Sequence, residues 1–194
     1  ETAEVPIVPI RAEVPTVPIT AEVRTVNGVV VKEGLAYAYL ESTPYTGKVV
    51  KFYADGSLQE TSNYKDGKPV GLFEMYYENG QLFQSKTYKD GKEDGLSETY
   101  VDNGQPWMRK TYKDGELEGI WELYYYDFLS NLANGQLDER GTYKNGKKEG
   151  FWEDYYENGQ LDERGTYKNG EKEGVWEEYI YYLAHTEKGT YKNG

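Results

Sequence analysis

The sequence predicts an all-β protein, an elongated open array of antiparallel β-hairpin repeats that forms a single twisted sheet. A glycine-led unit recurs at a spacing of 24 residues, with one spacing of 31. A fixed period in this range indicates stacked repeats. Each unit also places Asn-Gly or Asp-Gly between runs of strand-forming residues, which is the strongest short-range signal of a hairpin. The lead glycines are Gly47, Gly71, Gly95, Gly119, Gly150 and Gly174.

The stretch from Gly150 to Gly170 shows the predicted hairpin most clearly. A type I′ turn needs positive φ at both central residues, and Asn158-Gly159 supplies them. Because side chains alternate along a strand, one face should carry an aromatic set, and the lead glycine should leave room for a tyrosine to lie across the backbone. The expected pairs are Tyr156–Leu161, Asp154–Glu163, Trp152–Gly165 and Gly150–Tyr167, and the expected set is Trp152, Tyr156, Leu161 and Tyr167.

Composition agrees with a thin, aromatic-rich sheet and argues against several classes of function. The 194 residues include 21 tyrosines, and the aromatic content is 15% against a hydrophobic content of only 37%. Tyrosine can bury its ring while its hydroxyl stays in water, so it suits a shallow sheet. The net charge of −12 argues against nucleic acid and membrane lipid as partners, because both reward clustered basic residues. Cysteine is absent, so there is no disulfide framework.

Three segments divide the chain. Residues 1–23 repeat the block Ala-Glu-Val-Pro, and their prolines favour an extended, polyproline-like spacer or tail. A docking peptide, or an edge strand that pairs in trans, is the alternative. Residues 24–46 contain short strand-like runs and are expected to cap the array, as end repeats do. Residues 47–194 hold six hairpin repeats of 24 residues, the fourth lengthened by seven residues.

The repeated blocks resemble a known family. Tyr45-Thr-Gly-Lys-Val-Val, Tyr-Tyr-Glu-Asn-Gly-Gln-Leu and Tyr-Lys-Asp-Gly-Lys-x-x-Gly are similar to the MORN-repeat variant, found in bacterial proteins labelled YwqK-like antitoxin components. The resemblance covers residues 24–194, and its motif recurs six times. It implies an open ladder of β-hairpins. It brings no catalytic or binding residue set, because a fold alone does not specify an activity.

Two repeats depart from the pattern. The fourth carries its insertion before Asn134-Gly135, and an insertion in one repeat often marks a partner-binding loop. Phe128, Leu129 and Leu132 are therefore candidate contact residues, with a longer hairpin arm that folds back on its own sheet as the equal alternative. The sixth replaces the usual turn with residues 180–186, which we interpret as a terminal cap or as a cut through a longer array.

The sequence predicts no enzyme, no cofactor and no metal site. The single histidine, His185, lies in an irregular turn without a nucleophile at a defined spacing. Paired acids recur with the repeat, so they indicate solubility and cross-strand pairing, whereas a catalytic pair would be a singular feature. No calcium-loop or phosphate-loop motif is present.

A ladder of tyrosines, one in each of the last five repeats with Phe52 at the same place in the first, is the predicted partner-binding feature. Tyrosine is common among residues that dominate protein interfaces, although packing on the sheet would also explain most of these positions. The five tyrosines are Tyr76, Tyr100, Tyr124, Tyr155 and Tyr179.

We expect a non-enzymatic protein-interaction or structural scaffold whose protein partner the sequence does not name. The alternatives are a toxin-neutralising, immunity-like protein, whose acidic surface would mask a basic target, and a secreted or cell-surface adhesion module with the proline-rich segment as a stalk. We favour a secreted or cell-envelope location over the cytoplasm. Exposed sheet edges would allow self-association.

Overall fold

The computed structural model describes residues 25–32, 34–127, 132–180 and 185–191, and within them strands are the only regular elements. Residues 1–24 lie outside the described residues, as do the predicted contact residues Phe128 and Leu129. The first nine strands are β1 Thr25–Asn27, β2 Val30–Lys32, β3 Leu35–Tyr37, β4 Gly47–Phe52, β5 Leu58–Lys65, β6 Lys68–Pro69, β7 Gly71–Tyr76, β8 Leu82–Lys89 and β9 Lys92–Glu93. They are followed by β10 Gly95–Tyr100, β11 Pro106–Lys113, β12 Glu116–Asp127, β13 Leu132–Lys144, β14 Lys147–Tyr155, β15 Leu161–Lys168, β16 Glu171–Ile180 and β17 His185–Tyr191.

One sheet of 15 strands contains almost all of these elements. From β4 onward its strands follow chain order, each antiparallel to the next, with β6 and β9 as two-residue additions to β5 and β8. At one end β1 pairs with β4 in parallel, and at the other β17 pairs only with β16, so the described sheet does not close on itself. The predicted all-β open array of hairpins is confirmed.

The turn within the hairpin is not of the predicted type. Asn158 does not have positive φ, so Asn158-Gly159 is not a type I′ turn. The Tyr156 N–H donates to the Gln160 carbonyl at 2.8 Å, and the Gly159 N–H donates to the Tyr156 carbonyl at 2.8 Å. This is a three-residue loop with a left-handed glycine. The Asn158 Oδ1 atom accepts a hydrogen bond from the Gln160 N–H at 2.9 Å, which holds asparagine in its ordinary conformation.

The type I′ turns instead join one repeat to the next. At Asn169-Gly170 both residues have positive φ, 53° and 90°, and Lys168 pairs directly with Glu171 across the turn. Asparagine and aspartate tolerate this region better than other non-glycine residues because their short polar side chains can bond locally. The equivalent turns are Asp66-Gly67, Asp90-Gly91, Asp114-Gly115 and Asn145-Gly146.

The longer hairpin loop changes part of the predicted register. Gly150–Tyr167, Trp152–Gly165 and Asp154–Glu163 pair as expected. The predicted Tyr156–Leu161 pair is wrong, because the bulge before Leu161 places that residue opposite Tyr155. Leucine therefore lies on the face opposite the tryptophan. The same shift pairs Leu82 with Tyr76 and Leu137 with Tyr124.

The insertion in the fourth repeat extends a hairpin. Tyr126 pairs with Ala133 and Asp127 with Leu132, so β12 and β13 continue beyond the other repeats. Asn134-Gly135 lies inside β13 rather than at the tip of the hairpin, and a register shift occurs opposite Tyr124 and Tyr126.

Tryptophan and tyrosine rings form a continuous chain on one face of the sheet, which we call the aromatic face. Neighbouring ring centroids lie 5.0 to 6.3 Å apart, and the rings meet at steep angles, the edge-to-face arrangement that aromatic quadrupoles favour. Trp152 is only 1% exposed and Trp176 only 3%, although no second sheet or helix among the described residues covers them. The rings of the chain are Trp121, Tyr143, Trp152, Tyr167, Trp176 and Tyr191.

Glycines on the preceding strand make room for the buried tryptophans. A Cβ atom at Gly141 would lie 2.2 Å from Cδ2 of Trp152, and one at Gly165 would lie 2.2 Å from Cδ2 of Trp176. Neither glycine has positive φ, so a steric requirement fixes them rather than a conformational one. The prediction that the lead glycine leaves room for a tyrosine ring is wrong. A Cβ at Gly150 would meet only the Thr142 hydroxyl, at 3.2 Å, and Gly150 is instead held by its φ of 78°.

Trp121 provides an internal comparison. Its neighbour on the preceding strand is Lys110 instead of a glycine. The Trp121 indole N–H donates to a carboxylate oxygen of Glu139 at 3.0 Å, whereas the Trp152 indole N–H donates to the backbone carbonyl of Thr142 at 3.2 Å. Trp121 is also less buried. The glycine therefore determines how deeply a tryptophan lies on the sheet.

Hydrogen bonds between repeats lie at both ends of the strands. At one end, the second tyrosine of a Tyr-Tyr pair reaches the next repeat: the Tyr77 hydroxyl donates to the Tyr100 carbonyl at 2.9 Å, and the Tyr156 hydroxyl donates to the Tyr179 carbonyl at 2.9 Å. At the other end, Glu149 accepts a hydrogen bond from the Asn169 N–H at 2.8 Å. Each type I′ turn is thus attached to the repeat before it.

The N-terminal strands bury the start of the array. The β2–β3 hairpin forms a separate two-stranded sheet. Ala38 packs with Tyr45 and Val49 in a small buried cluster, against which Val29 and Tyr64 also lie. The Ala36 N–H donates to the Gly67 carbonyl at 2.8 Å, which ties this segment to the first type I′ turn.

We predict that Gly165→Ala destabilises the protein by about 1–3 kcal/mol, the usual cost of overpacking a well-filled site. The added methyl group cannot coexist with the Trp176 ring at its present position. Urea unfolding followed by tryptophan fluorescence would measure the change. Gly189→Ala is the matched control, because its Cβ would meet Tyr191 at an ordinary 3.6 Å. Equal effects of the two substitutions would contradict this account of the glycine.

Candidate functional site

The face opposite the tryptophans, which we call the tyrosine face, contains three parallel rows of side chains that cross the strands. The first row contains mostly apolar residues, the second contains charged residues and the third contains the five predicted contact tyrosines. The apolar residues and the tyrosines lie on alternate strands, whereas every strand from β10 to β17 contributes to the charged row, because the hairpins keep the same register. We call them the apolar row, the charged row and the tyrosine row.

The charged row alternates acid and base on eight successive strands. Arg109 contacts Glu98 at 2.9 Å and Glu122 at 3.1 Å, and Arg164 contacts Glu177 at 2.7 Å. Hydrogen bonds from Lys188 and Arg164 lower the pKa of Glu177 to about 2. The charges are thus largely compensated within the row, which is Glu98, Arg109, Glu122, Arg140, Glu153, Arg164, Glu177 and Lys188.

The five predicted contact tyrosines are half-buried beside the charged row. The Tyr155 hydroxyl donates to Glu153 at 3.1 Å, and the Arg140 guanidinium lies 5.8 Å from the Tyr155 ring centroid. Tyr179 makes the same contacts with Glu177 and Arg164. Burial, aided by the adjacent glutamate, raises the pKa of Tyr76 and of Tyr100 to about 12. Their hydroxyls therefore stay protonated as donors to the glutamates.

The other predicted contact residues, those of the insertion, stay a prediction. Phe128 and Leu129 lie outside the described residues, and for Leu132 only its place at the start of β13 is described. Next to them, Tyr126 packs on Trp107 with ring centroids 5.8 Å apart.

The apolar row contains the two most exposed large apolar side chains of the repeats, those of Phe151 and Val175, and sequence reasoning missed it. Ile120 is 39% exposed, Phe151 56% and Val175 58%. Each follows a lead glycine directly, and Leu72 and Leu96 hold the same position in earlier repeats. The fixed position of these apolar residues directly after the lead glycine was the sequence signal that could have identified the row. The sequence pattern favoured the tyrosines instead, because they are larger and more numerous than the apolar residues of this row.

A shallow, open depression lies between Ile120 and Phe151 on this face, with Arg140, Thr142 and Glu153 around it. It coincides with the bulge between β13 and β14, where the strand register shifts near Gly141. The depression thus lies where the regular strand pairing of β13 and β14 is interrupted. Exposed threonines separate the apolar residues, with Thr166 opposite Phe151 and Thr190 opposite Val175.

Three segments of the chain match the MORN repeat variant. The matched residues are 45–66, 69–90 and 148–169, which together make up about a third of the chain. The match supports the repeat architecture and does not extend to the antitoxin label. A search of curated proteins found no match to the chain.

The repeats of the C-terminal half also place carboxylates side by side on the aromatic face. Asp154 lies directly between Glu139 and Glu163 across the strands. Lys148 pairs with Glu139 and also lies 3.9 Å from the Trp152 ring centroid, and Lys172 contacts Glu163 at 2.6 Å. Two lysine side chains therefore form the ion pairs within this group of three neighbouring carboxylates.

The neighbouring carboxylates make ionisation of Asp154 unfavourable. Burial, followed by the negative charges of Glu139 and Glu163, raises the pKa of Asp154 to about 7, while Lys148 opposes the rise. The carboxyl group also shares a hydrogen bond with Glu163, which favours its protonated form. Asp154 is thus protonated in the folded protein at mildly acidic pH.

We predict that Asp154 makes stability fall as pH rises. Its pKa in the folded chain lies above that of the unfolded chain, so its favourable contribution is complete below about pH 4 and is lost as the pH rises through about 7. Thermal unfolding of the parent protein and of Asp154→Asn, compared across this range, would measure it. The parent's advantage over the variant should shrink toward neutral pH.

Glu178→Gln is the matched control, since Glu178 faces Glu163 in the same row but is exposed. A pH-independent difference between the parent and Asp154→Asn would contradict the assignment to Asp154.

Within the described ranges, no group of three or more acidic, histidine or cysteine residues is placed to hold a metal ion. The same residues include no helix long and apolar enough to cross a membrane.

Proposed function

We propose that this protein is a non-enzymatic interaction scaffold that binds an extended protein segment along the apolar row. The observation that carries the proposal is the regular series of exposed apolar side chains at Ile120, Phe151 and Val175. Neighbouring members lie two strands apart, or about 9.6 Å. A partner could thus make the same contact at successive repeats.

The chemistry of the tyrosine face supports a binding role. Its acids and bases are compensated by one another, as in Arg164 with Glu177 and Lys188 with Glu177. MORN repeats are generally non-catalytic and commonly serve as protein-interaction or membrane-associating modules. The net charge of −12 favours a protein over an anionic membrane surface.

Neutralisation of a basic toxin is the second candidate. Its support is the net charge of −12 together with the adjacent acids Glu139, Asp154 and Glu163 on the aromatic face. A basic partner would meet those carboxylates, so it would bind on the aromatic face rather than the tyrosine face. A role in adhesion at a cell surface has no comparable support from the described residues.

We expect selection from a library of random linear peptides to enrich ligands for the apolar row. The doubly substituted protein Phe151→Glu/Val175→Glu should bind them at least about tenfold more weakly, because central apolar anchors commonly contribute more than 1 kcal/mol each. Fluorescence anisotropy with a labelled selected peptide would measure affinity.

Tyr39→Glu is the control, since Tyr39 is 78% exposed and lies outside the row. Peptides that bind the doubly substituted protein as well as the parent would contradict the proposal, and lysine- and arginine-rich peptides lost with Glu163→Gln would favour the second candidate.

A further inference from the structure

The described part of the chain begins at the end of the line followed by the apolar row. Thr25, the first described residue, pairs with Lys48 in β4. Lys48 directly follows the lead glycine Gly47, so it holds the same repeat position as Phe151 and Val175. The preceding chain therefore starts beside the row.

The sequence of that segment has a period that matches the row. It contains two tripeptide pairs, Val-Pro-Ile-Val-Pro-Ile at residues 5–10 and Val-Pro-Thr-Val-Pro-Ile at residues 14–19. In a polyproline II helix, three residues advance the chain by about 9.3 Å and return side chains to the same side. Two strands of a sheet span about 9.6 Å. Successive triplets would thus present equivalent side chains at the spacing of successive repeats.

The length of the segment is also sufficient. Val175 in β16 lies eleven strand steps from β1, or about 53 Å. In polyproline II geometry the chain from Val5 to Thr25 spans about 62 Å. Residues 14–19 would then lie over Leu96 and Ile120, and residues 5–10 over Phe151 and Val175.

The surface suits such a ligand. Polyproline II segments dock in shallow grooves lined with aromatic side chains, and they lose little entropy because they are already extended. Phe151 is 56% exposed, and the depression between Ile120 and Phe151 is open to one side. The segment supplies proline and branched aliphatic groups, and the row supplies the aromatic ring of Phe151 together with aliphatic side chains such as those of Ile120 and Val175.

We propose that residues 5–19 dock on the apolar row of their own chain and occupy the surface that would otherwise bind a partner. Docking itself is independent of the proposed function, whereas the regulatory consequence, competition with a partner segment, rests on it. The occupant is defined by its chemistry: an extended Val-Pro-x repeat laid across the strands.

Distance measurement between two nitroxide labels tests the docking without any partner. The chain contains no cysteine, so Ala12→Cys/Thr166→Cys in the full chain gives two unique sites, and the exposed Thr166 lies opposite Phe151. We expect a short, narrow distance distribution. Adding Phe151→Glu/Val175→Glu should convert it to a long, broad one, whereas adding Tyr39→Glu should leave it unchanged.

A second variant acts on the segment and leaves the folded array untouched. Replacing Val5, Val8, Val14 and Val17 with serine should release the label in the same way. A broad distribution in the doubly labelled parent would overturn the proposal. So would the same short distance in a mixture of chains labelled only at residue 12 with chains labelled only at residue 166, since the contact would then be between chains.

Different results would contradict the docking of residues 5–19 and the proposed scaffold function. If the label distances show no docking but selected peptides still require Phe151 and Val175, the scaffold function is supported and the proposal that residues 5–19 occupy the row is wrong. If docking is found, the four-serine variant should bind a selected peptide more tightly than the parent, and equal affinities would overturn the competition.

Discussion

A sheet one layer thick must cover its own backbone, and the contact between tryptophan and glycine meets that constraint. In a two-layered protein, apolar side chains of one layer are buried by the other. Here Trp152 lies flat in the space left by Gly141 on the preceding strand. Trp176 does the same over Gly165, and the tyrosines between them complete a chain of edge-to-face rings. Burial is therefore achieved along the array instead of across layers.

This arrangement couples each repeat to its neighbours and to little else. The ring chain and the hydrogen bond from the Tyr156 hydroxyl to the Tyr179 carbonyl both join adjacent repeats. Such proteins behave as one-dimensional systems in which stability is the sum of units and interfaces. It also separates the two faces: the aromatic face holds the array together, and the tyrosine face is left with the exposed side chains of Phe151 and Val175.

Much of the fold could be predicted from the sequence, because a fixed period with glycine and aromatic markers restricts the architecture to stacked hairpins. The strand pairs Trp152–Gly165 and Asp154–Glu163 follow from counting alone. The turn types could not be derived in this way, since Asn-Gly is compatible with both a type I′ turn and a three-residue loop. The choice depends on whether the asparagine side chain bonds to the backbone, as Asn158 does with the Gln160 N–H.

The candidate site was less accessible to sequence reasoning. Whether a ring is a contact surface or a cover for the sheet depends on what lies beside it. Tyr155 is held by Glu153 and Arg140 from neighbouring positions, and those contacts need the register. Phe151 lies on the same face and strand, next to the register shift between Arg140 and Thr142, and it is 56% exposed.

Native-state amide hydrogen exchange of the parent and of Trp152→Leu would test the central claim most directly. If burial depends on contacts between adjacent repeats, protection should fall in β13, β14 and β15 and remain unchanged in β4 and β5. An equal loss of protection from β4 to β17 would contradict the account, because it would mean that one shared core stabilises the whole chain.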